Sequence, residues 1–486
     1  MQRTSAPAVA VIGAGFAGIG MAVRLKQRGW PVTVFEKAED LGGVWRDNTY
    51  PGAACDVPSH LYSYSFEPEP NWSRRYGTQP EILAYLQRCA RKHGIHENIR
   101  FGTGIAAADF DESSGTWTLT AEDGSTFTAD AVVSACGQLR VPAHPDLPGR
   151  DDFTGESFHT ARWDHSAELS GKRVGVIGTG ATSVQVVPSI VDRVGQLTLF
   201  QRTPPYLIPR TDRPYSRRTQ RLLARFPLLQ QINRLRLFAQ YESRVLGFAY
   251  LPALMRAYEA QFRKRLRKQV PDPGTRSALQ PDYRMGCKRI LLSSDFYPAL
   301  NRSNLRLVTD SVRDVVPEGV RTADGTTHEL DVLVYATGFR THDFLTPMRV
   351  TGRGGQNLDE EWADGARAHL GISVAGFPNF FLLYGPNTNL GHNSIVYMIE
   401  RQIGYVLQAL DVLRERDLRY LDVRPEVQRS FDEHVQRRTR ATVFGSGCDS
   451  WYVTADGRNT NNWPSSVLEY RRLTRSVDPE EYERVG

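Results

Sequence analysis

The chain has 486 residues and a mass of 54.7 kDa, enough for two to four domains at ~100–200 residues each. Hydrophobic residues make up 40% and charged residues 23%, close to globular averages, which excludes a disordered or fibrous protein. The net charge of +6 is local in origin: residues 210–268 hold 15 Lys+Arg and 3 Asp+Glu, leaving 45 against 51 elsewhere. The basic stretch therefore reads as an inserted segment.

In chain order, residues 8–12 (Ala-Val-Ala-Val-Ile) read as a buried parallel strand, apolar throughout because both faces are covered. Gly15 to Arg28 has helical spacing through Ile19, Val23 and Leu25, and Val32-Thr33-Val34-Phe35 is a second strand ending at Glu36. This is a βαβ unit. Residues 116–136 alternate around Trp117 and Leu119 and then reach Val132-Val133, which predicts an antiparallel hairpin followed by a strand. The βαβ pattern returns at 173–201, and Val332-Leu333-Val334-Tyr335 is a further strand running into Ala336-Thr337-Gly338. Residues 213–285 carry Leu, Arg and Phe at helical spacing, broken by Pro227 and Pro252 and closed by a Pro/Gly loop near Pro271. The fold class is thus α/β, with two Rossmann-like, doubly wound dinucleotide-binding domains and a helical insertion.

The longest uncharged apolar stretch, Val245 to Met255, is far shorter than the ~20 residues that span a bilayer. The start of the chain has no basic and apolar signal pattern. Five cysteines (Cys55, Cys89, Cys136, Cys287, Cys448) are scattered without a CxxC pair, which argues for a reducing cytoplasm and against a disulfide scaffold, a zinc site or a dithiol flavoenzyme. No metal is implied.

The first loop, Gly13-Ala-Gly15-Phe-Ala-Gly18, lies between strand and helix. Gly13 permits the tight turn, Gly15 lets a pyrophosphate approach, and Gly18 lets helix and strand pack closely. The helix N-terminus offers free N–H groups to the phosphates. Glu36, 18 residues beyond Gly18, suits an unphosphorylated ribose. The second loop, Gly178-Thr-Gly180-Ala-Thr182-Ser183, places Ser where the third glycine would be. Its second strand ends in Gln201-Arg202-Thr203, with a cation and a hydroxyl in place of an acid, which favours NADP over NAD. Two dinucleotides on one chain imply hydride transfer from NADPH to a flavin, with FAD on the first loop.

Phe153-Thr-Gly155-Glu-Ser-Phe-His159-Thr-Ala-Arg-Trp163-Asp164 resembles the fingerprint FxGxxxHxxxW(P/D) of the type I Baeyer–Villiger monooxygenases, class B flavoprotein monooxygenases. Gly42-Gly43-Val44-Trp45, followed by Tyr50-Pro51-Gly52-Ala-Ala-Cys-Asp56, is similar to that family's GGxW and YPGxxxD signatures. Lys288-Arg289, Ala336-Thr337-Gly338 and Ser450-Trp451-Tyr452 also match, so the resemblance runs from Val9 to about Arg475. It implies an FAD- and NADPH-dependent enzyme that converts a ketone to an ester or lactone with O2 through a C4a-peroxyflavin. Ser183, the loop 385–393 and the tail 457–464 depart from the cyclic-ketone members, which leaves the substrate class open.

The resemblance implies that Arg289 is the fixed cation beside the growing oxyanion and Asp56 the acid that positions it. Read alone, Arg289 is an ordinary interface ion-pair residue and Asp56 a turn aspartate. By the same resemblance Gly43, Val44, Trp45, Asp56 and Tyr62 border the flavin, and Ile105 gives a backbone contact on the adenine side. Thr182, Ser183 and Gln185 join the glycines of the second loop around NADP. Lys288 faces the 2′-phosphate opposite Arg202 and Thr203, and Trp451 lines the nicotinamide–substrate space. His159 couples the two domains and is not a general base. The implied FAD domain covers 1–149 and 341–486, the NADP domain 150–212 and 286–340, and the insertion 213–285.

The alternatives are an N- or S-oxygenating flavin monooxygenase, with a sulfide as substrate, and an NADPH oxidase or flavin reductase releasing hydrogen peroxide. Nucleic acid is not an expected partner. Clustered Arg among Leu and Phe in 210–268 allows peripheral contact with an anionic bilayer, but helices whose charged faces are merely solvated are the simpler reading.

Overall fold

Two five-stranded parallel sheets organise the chain. In the computed structural model, which describes residues 6–486, the first sheet runs Phe380–Leu382, Ala131–Ser134, Val9–Ile12, Val32–Phe35, Ile99–Arg100. The second runs Leu305–Val308, Gln196–Phe200, Arg173–Ile177, Val332–Tyr335, Glu156–His159. All neighbouring pairs are parallel. Residues 1–5 of the expected 1–149 segment lie outside the described residues.

In each sheet the strand preceding a glycine loop is central. Val9–Ile12 lies between Val32–Phe35 and Ala131–Ser134, and Arg173–Ile177 between Gln196–Phe200 and Val332–Tyr335. The strand order reverses at both places, which opens a crevice at the carboxyl end of each central strand. Burial explains the composition: Val9–Ile12 is buried at all four positions. Helix Phe16–Gln27 covers one face and packs against the long helix Ile395–Glu415.

The predicted hairpin is a meander, Ile105–Asp111, Thr116–Ala121 and Thr126–Ala129, joined in parallel by Arg349–Thr351. A second meander, Val312–Val316, Gly319–Thr322 and Thr327–Glu329, was not expected, because its strands are short and half polar. Two strands of chain connect the sheets side by side. Pro142 and Phe339 form an antiparallel bridge, with the Ala143 N–H donating to the Gly338 carbonyl and the Arg340 N–H to that of Val141, both at 2.9 Å.

The insertion is helical: Arg217–Arg225, Pro227–Glu242, Met255–Gln269 and Pro273–Ala278. Pro227 opens a helix and does not break one, since its missing N–H costs nothing in the first turn. The loop expected near Pro271 is brief, because the Asp272 side chain accepts the Thr275 N–H and starts Pro273–Ala278. Among the described residues no helix is long and apolar enough to cross a membrane.

Cysteine usage needs correction. Cys287 and Cys448, 161 residues apart, form a disulfide, while Cys55, Cys89 and Cys136 are free. A separation of that length leaves no trace in local spacing. One crosslink is not a disulfide scaffold, but it removes the support that cysteine usage lent to a reducing compartment.

Candidate active site

A cavity of about 1520 Å³ lies where the two crevices face each other. Its walls include both glycine loops, the 42–57 segment, Lys288-Arg289, the 449–452 segment and several insertion side chains.

At the first loop Gly13 has φ +103°, and a Cβ there would lie 2.9 Å from the Ala135 carbonyl oxygen. A Cβ on Gly18 would lie 1.8 Å from the Gly13 oxygen, so close helix–strand contact requires glycine. Gly15 and Gly43 face each other across the cleft: a Cβ on Gly43 would approach the Gly15 Cα to 3.2 Å. Glu36 is buried, and its Oε2 accepts the Ala14 N–H at 2.8 Å while Oε1 accepts that of Ala38 at 3.1 Å. The carboxylate is thereby fixed at the cleft, with lone pairs left for ribose hydroxyls. Val44 and Ile105 also line this part of the cavity. The Trp45 indole donates to the Tyr62 hydroxyl at 3.1 Å, and Tyr62 sets its ring edge-on to Phe16.

The second loop is built alike. Gly178 has φ +108°, and a Cβ there would meet the Ala336 carbonyl at 2.6 Å, whereas one on Gly180 would meet nothing within 4 Å. Gly180 thus faces open groove. Neither Phe16–Gln27 nor Ser183–Ile190 has a side-chain N-cap, so the first-turn N–H groups of both remain available to an anion. These features fit two dinucleotide pyrophosphates.

Ser183 is fully buried and its Oγ has no hydrogen-bond partner; it packs in the position of the third glycine and is not aimed into the groove. Thr182 opens that helix and lines the cavity. Gln185 sits where helix meets loop: its Nε2 donates to the Ala54 carbonyl at 2.9 Å, and its Oε1 accepts the Tyr50 hydroxyl at 3.0 Å and the Ala54 N–H at 3.4 Å. Arg202 is exposed at the strand end, and the Thr203 carbonyl accepts the Thr179 hydroxyl at 2.8 Å. Lys288 holds its ammonium 5.1 Å from the centre of the Tyr283 ring. Burial lowers its pKa, with Asp449 opposing and the nearby Arg202 reinforcing the shift. Two neighbouring cations therefore line the cavity.

Next in the chain, Arg289 Nη2 donates to Asp56 Oδ2 at 2.5 Å. Burial pushes the Asp56 carboxyl upward, but the charge and hydrogen bonds of Arg289 outweigh it and bring the pKa below the ordinary value. The Asp56 charge raises the Arg289 pKa in turn, against desolvation. The pair stays ionic. Trp451 lines the same cavity, and its carbonyl accepts the Thr341 hydroxyl at 2.9 Å.

His159 is not part of this group. It is buried against His144 on one linker and Phe339 on the other, ring centres 5.3 and 6.0 Å away, and its Nδ1 accepts the Ala161 N–H. It contacts both linkers.

The chain matches the family model for flavin-binding monooxygenase-like proteins over residues 6–348. It is 45% identical over 477 residues to a Baeyer–Villiger monooxygenase of Pseudomonas aeruginosa, covering 98% of this chain and 90% of that one. The chain belongs to the Baeyer–Villiger monooxygenase family. Members of this family are FAD- and NADPH-dependent flavoprotein monooxygenases, and the fold agrees. An oxidised steroid monooxygenase bound to NADP superposes with a TM-score of 0.89 at 34% identity, over 99% of each chain. OTEMO in complex with FAD and NADP gives 0.90 at 30%, over 99% of this chain and 100% of that one.

Sequence reasoning missed three residues of or beside this candidate site. Arg210 lines no motif, yet its Nη2 reaches the Cys55 carbonyl at 3.3 Å beside Asp56. Tyr384 has φ +62°, and burial pushes its phenol up to about 12, with Arg289 lowering and Asp56 raising it. Gln138 donates to the Tyr384 carbonyl at 3.0 Å. The positive φ of Tyr384 is invisible in the sequence, where only the following Gly385-Pro386 marks a turn.

Proposed function

We propose that the Arg289–Asp56 pair is the catalytic centre of a Baeyer–Villiger reaction that turns a ketone into an ester or lactone, at the junction of an FAD domain (1–149 and 341–486) and an NADP domain (150–212 and 286–340). The observation that carries this reading is the 2.5 Å ion pair facing a cavity walled by both glycine loops. Bound FAD, reduced by NADPH, supplies the activation of O2. The chain's part is to bind, orient and hold charge. Gly13, Gly15, Gly43 and the Phe16–Gln27 helix end receive the FAD pyrophosphate, Glu36 takes its ribose, and Val44, Trp45, Tyr62 and Ile105 pack along it. Gly178, Gly180 and Thr182 receive the NADP pyrophosphate, Arg202, Thr203 and Lys288 take the 2′-phosphate, and Trp451 borders the nicotinamide. Gln185 and Ser183 support this site from behind.

Arg289 offers donors and a permanent charge to oxygen that becomes anionic as the carbonyl carbon turns tetrahedral. Asp56 keeps the guanidinium aimed while staying ionised itself. The buried phenols of Tyr384 and Tyr452 remain neutral around the pair, so Arg289 supplies the positive charge there. With a fixed cation for a carbonyl oxygen, a ketone fits this site better than an amine or sulfide does. We place the protein in the cytoplasm on the strength of its pyridine-nucleotide use alone.

The test is Arg289→Ala with NADPH, a ketone and isotopically labelled O2. Loss of labelled ester by ~10²–10³ in rate, with FAD retained, is expected. Ester formation near the wild-type rate would overturn the assignment. Stoichiometric hydrogen peroxide with every ketone, from the wild type, would favour the oxidase reading.

A further inference from the structure

The helix Pro227–Glu242 seats Leu237 and Tyr241 inward, clustered with Leu61, together with polar side chains. Gln230 is buried, and Arg234 Nη1 donates to the carbonyls of His60 and Ser63 at 2.9 and 2.8 Å. Its outer face carries Leu228, Ile232 and Leu235, spaced by four and three residues and exposed to 67%, 53% and 66%. Leu222, Phe226 and Leu229 extend the apolar surface across the turn from helix Arg217–Arg225. Scattered exposed leucines are ordinary, but six large apolar side chains exposed within fourteen residues, 222 to 235, call for a partner.

Its surroundings indicate the occupant. Residues 213–241 contain seven arginines and no acidic residue. Arg217, Arg218, Arg221, Arg225 and Arg236 are exposed, and none of them has a salt bridge among the described residues. A second copy docked symmetrically on this face would set arginine against arginine. An anionic bilayer satisfies both features, accepting the apolar stripe among its acyl chains and the guanidinium groups at its phosphates. We propose that the helices Arg217–Arg225 and Pro227–Glu242 dock the protein on an anionic lipid surface. The same insertion supplies Arg244, Phe248, Met255 and Tyr258 to the cavity wall. Solvated charged faces, the simpler expectation, do not account for the exposed Leu228, Ile232 and Leu235 among these arginines.

The experiment is flotation of the FAD-loaded protein with vesicles of phosphatidylglycerol or of phosphatidylcholine at low salt. The wild type is expected to float with phosphatidylglycerol at least ~10-fold better than with phosphatidylcholine, and to be partly released by high salt. The double variant Ile232→Glu/Leu235→Glu should lose that binding at least ~10-fold, while its kcat on a water-soluble ketone and its far-UV circular dichroism stay unchanged. No flotation, equal flotation with both lipids, or flotation of the double variant equal to wild type would each overturn the proposal. So would a concentration-dependent dimer in sedimentation velocity that the double variant abolishes while vesicles bind nothing.

Discussion

The Gln185 side chain holds both the carbonyl and the N–H of Ala54, two residues before Asp56, and so ties the helix of the second glycine loop to the segment that carries the Asp56 carboxylate. Tyr50 completes the tie through the same amide oxygen. Gln185→Ala removes this coupling without touching either glycine loop. At ~1 kcal/mol per hydrogen bond, kcat/KM for NADPH should fall by roughly tenfold or more, mainly through KM, while FAD content is unchanged. Gln185→Glu, which keeps one acceptor, should recover part of the loss. Steady-state kinetics on the three proteins decide it, and an unaltered KM would remove Gln185 from the positioning role.

Asp56→Asn keeps shape but removes charge. The Asp56 pKa is depressed in the folded state, so the pair's contribution is present above the ordinary carboxylate range and is lost only as pH falls through the depressed value. The wild-type rate of ester formation should therefore show no acid limb from this residue near neutrality. The variant should lose ~10-fold or more in ester formation and divert reducing equivalents to hydrogen peroxide, because an unpaired Arg289 is no longer aimed. Product and peroxide, measured together from pH 6 to 9, check both statements.

The parts of the site that rest on backbone necessity were legible in the sequence. Gly13 and Gly178 are required by φ angles near +100°, and Glu36 and Arg202 stand at strand ends fixed by the βαβ pattern. Arg289 and Asp56 are 233 residues apart, and only the family signatures could join them before the fold was known. Arg210 and the Cys287–Cys448 crosslink are tertiary contacts with no local pattern, and so stayed hidden. The helix Pro227–Glu242 shows a different failure. Its Leu237 and Tyr241 face inward, but Leu228, Ile232 and Leu235 form a second apolar row that faces outward, and periodicity does not say which row is buried.

Arg202 and Lys288 should share the selection of NADPH over NADH. Charge-assisted hydrogen bonds contribute ~1.5–3 kcal/mol, so Arg202→Ala should lower kcat/KM for NADPH by roughly 10- to 100-fold and leave NADH little changed. Lys288→Ala should do the same to a smaller extent, since its ammonium is partly engaged by the Tyr283 ring. Equal losses with both nucleotides would mean that these cations do not read the 2′-phosphate.

The disulfide joins the residue before Lys288-Arg289 to the residue before the 449–452 wall of the cavity. Closing a long loop constrains the unfolded chain, so Cys287→Ser should lower stability by about 2–4 kcal/mol in urea unfolding. The destabilisation should be reproduced by dithiothreitol on the wild type and should be absent when dithiothreitol is added to the variant. Thiol titration of the denatured, unreduced wild type should count the three cysteines that are free in the fold.

His159 provides a stability signal in the acid range. Burial lowers its pKa from 6.5 to about 4, and His144 adds to the effect. Its Nδ1 accepts the Ala161 N–H, so a proton there would break that hydrogen bond as well as bury a charge. Unfolded chains take up this proton near pH 6.5 and the folded protein only near 4. The contribution of His159 is therefore complete above pH 6.5 and declines as the pH falls toward 4, by on the order of 2–3 kcal/mol. His159→Asn keeps an acceptor for the Ala161 N–H but cannot titrate. Its urea midpoint should vary less with pH between 6.5 and 4 than that of the wild type, with kcat at neutral pH retained. A wild-type slope left intact in the variant would place the acid sensitivity elsewhere, on the buried ring of His60 first, whose pKa burial likewise lowers to about 4.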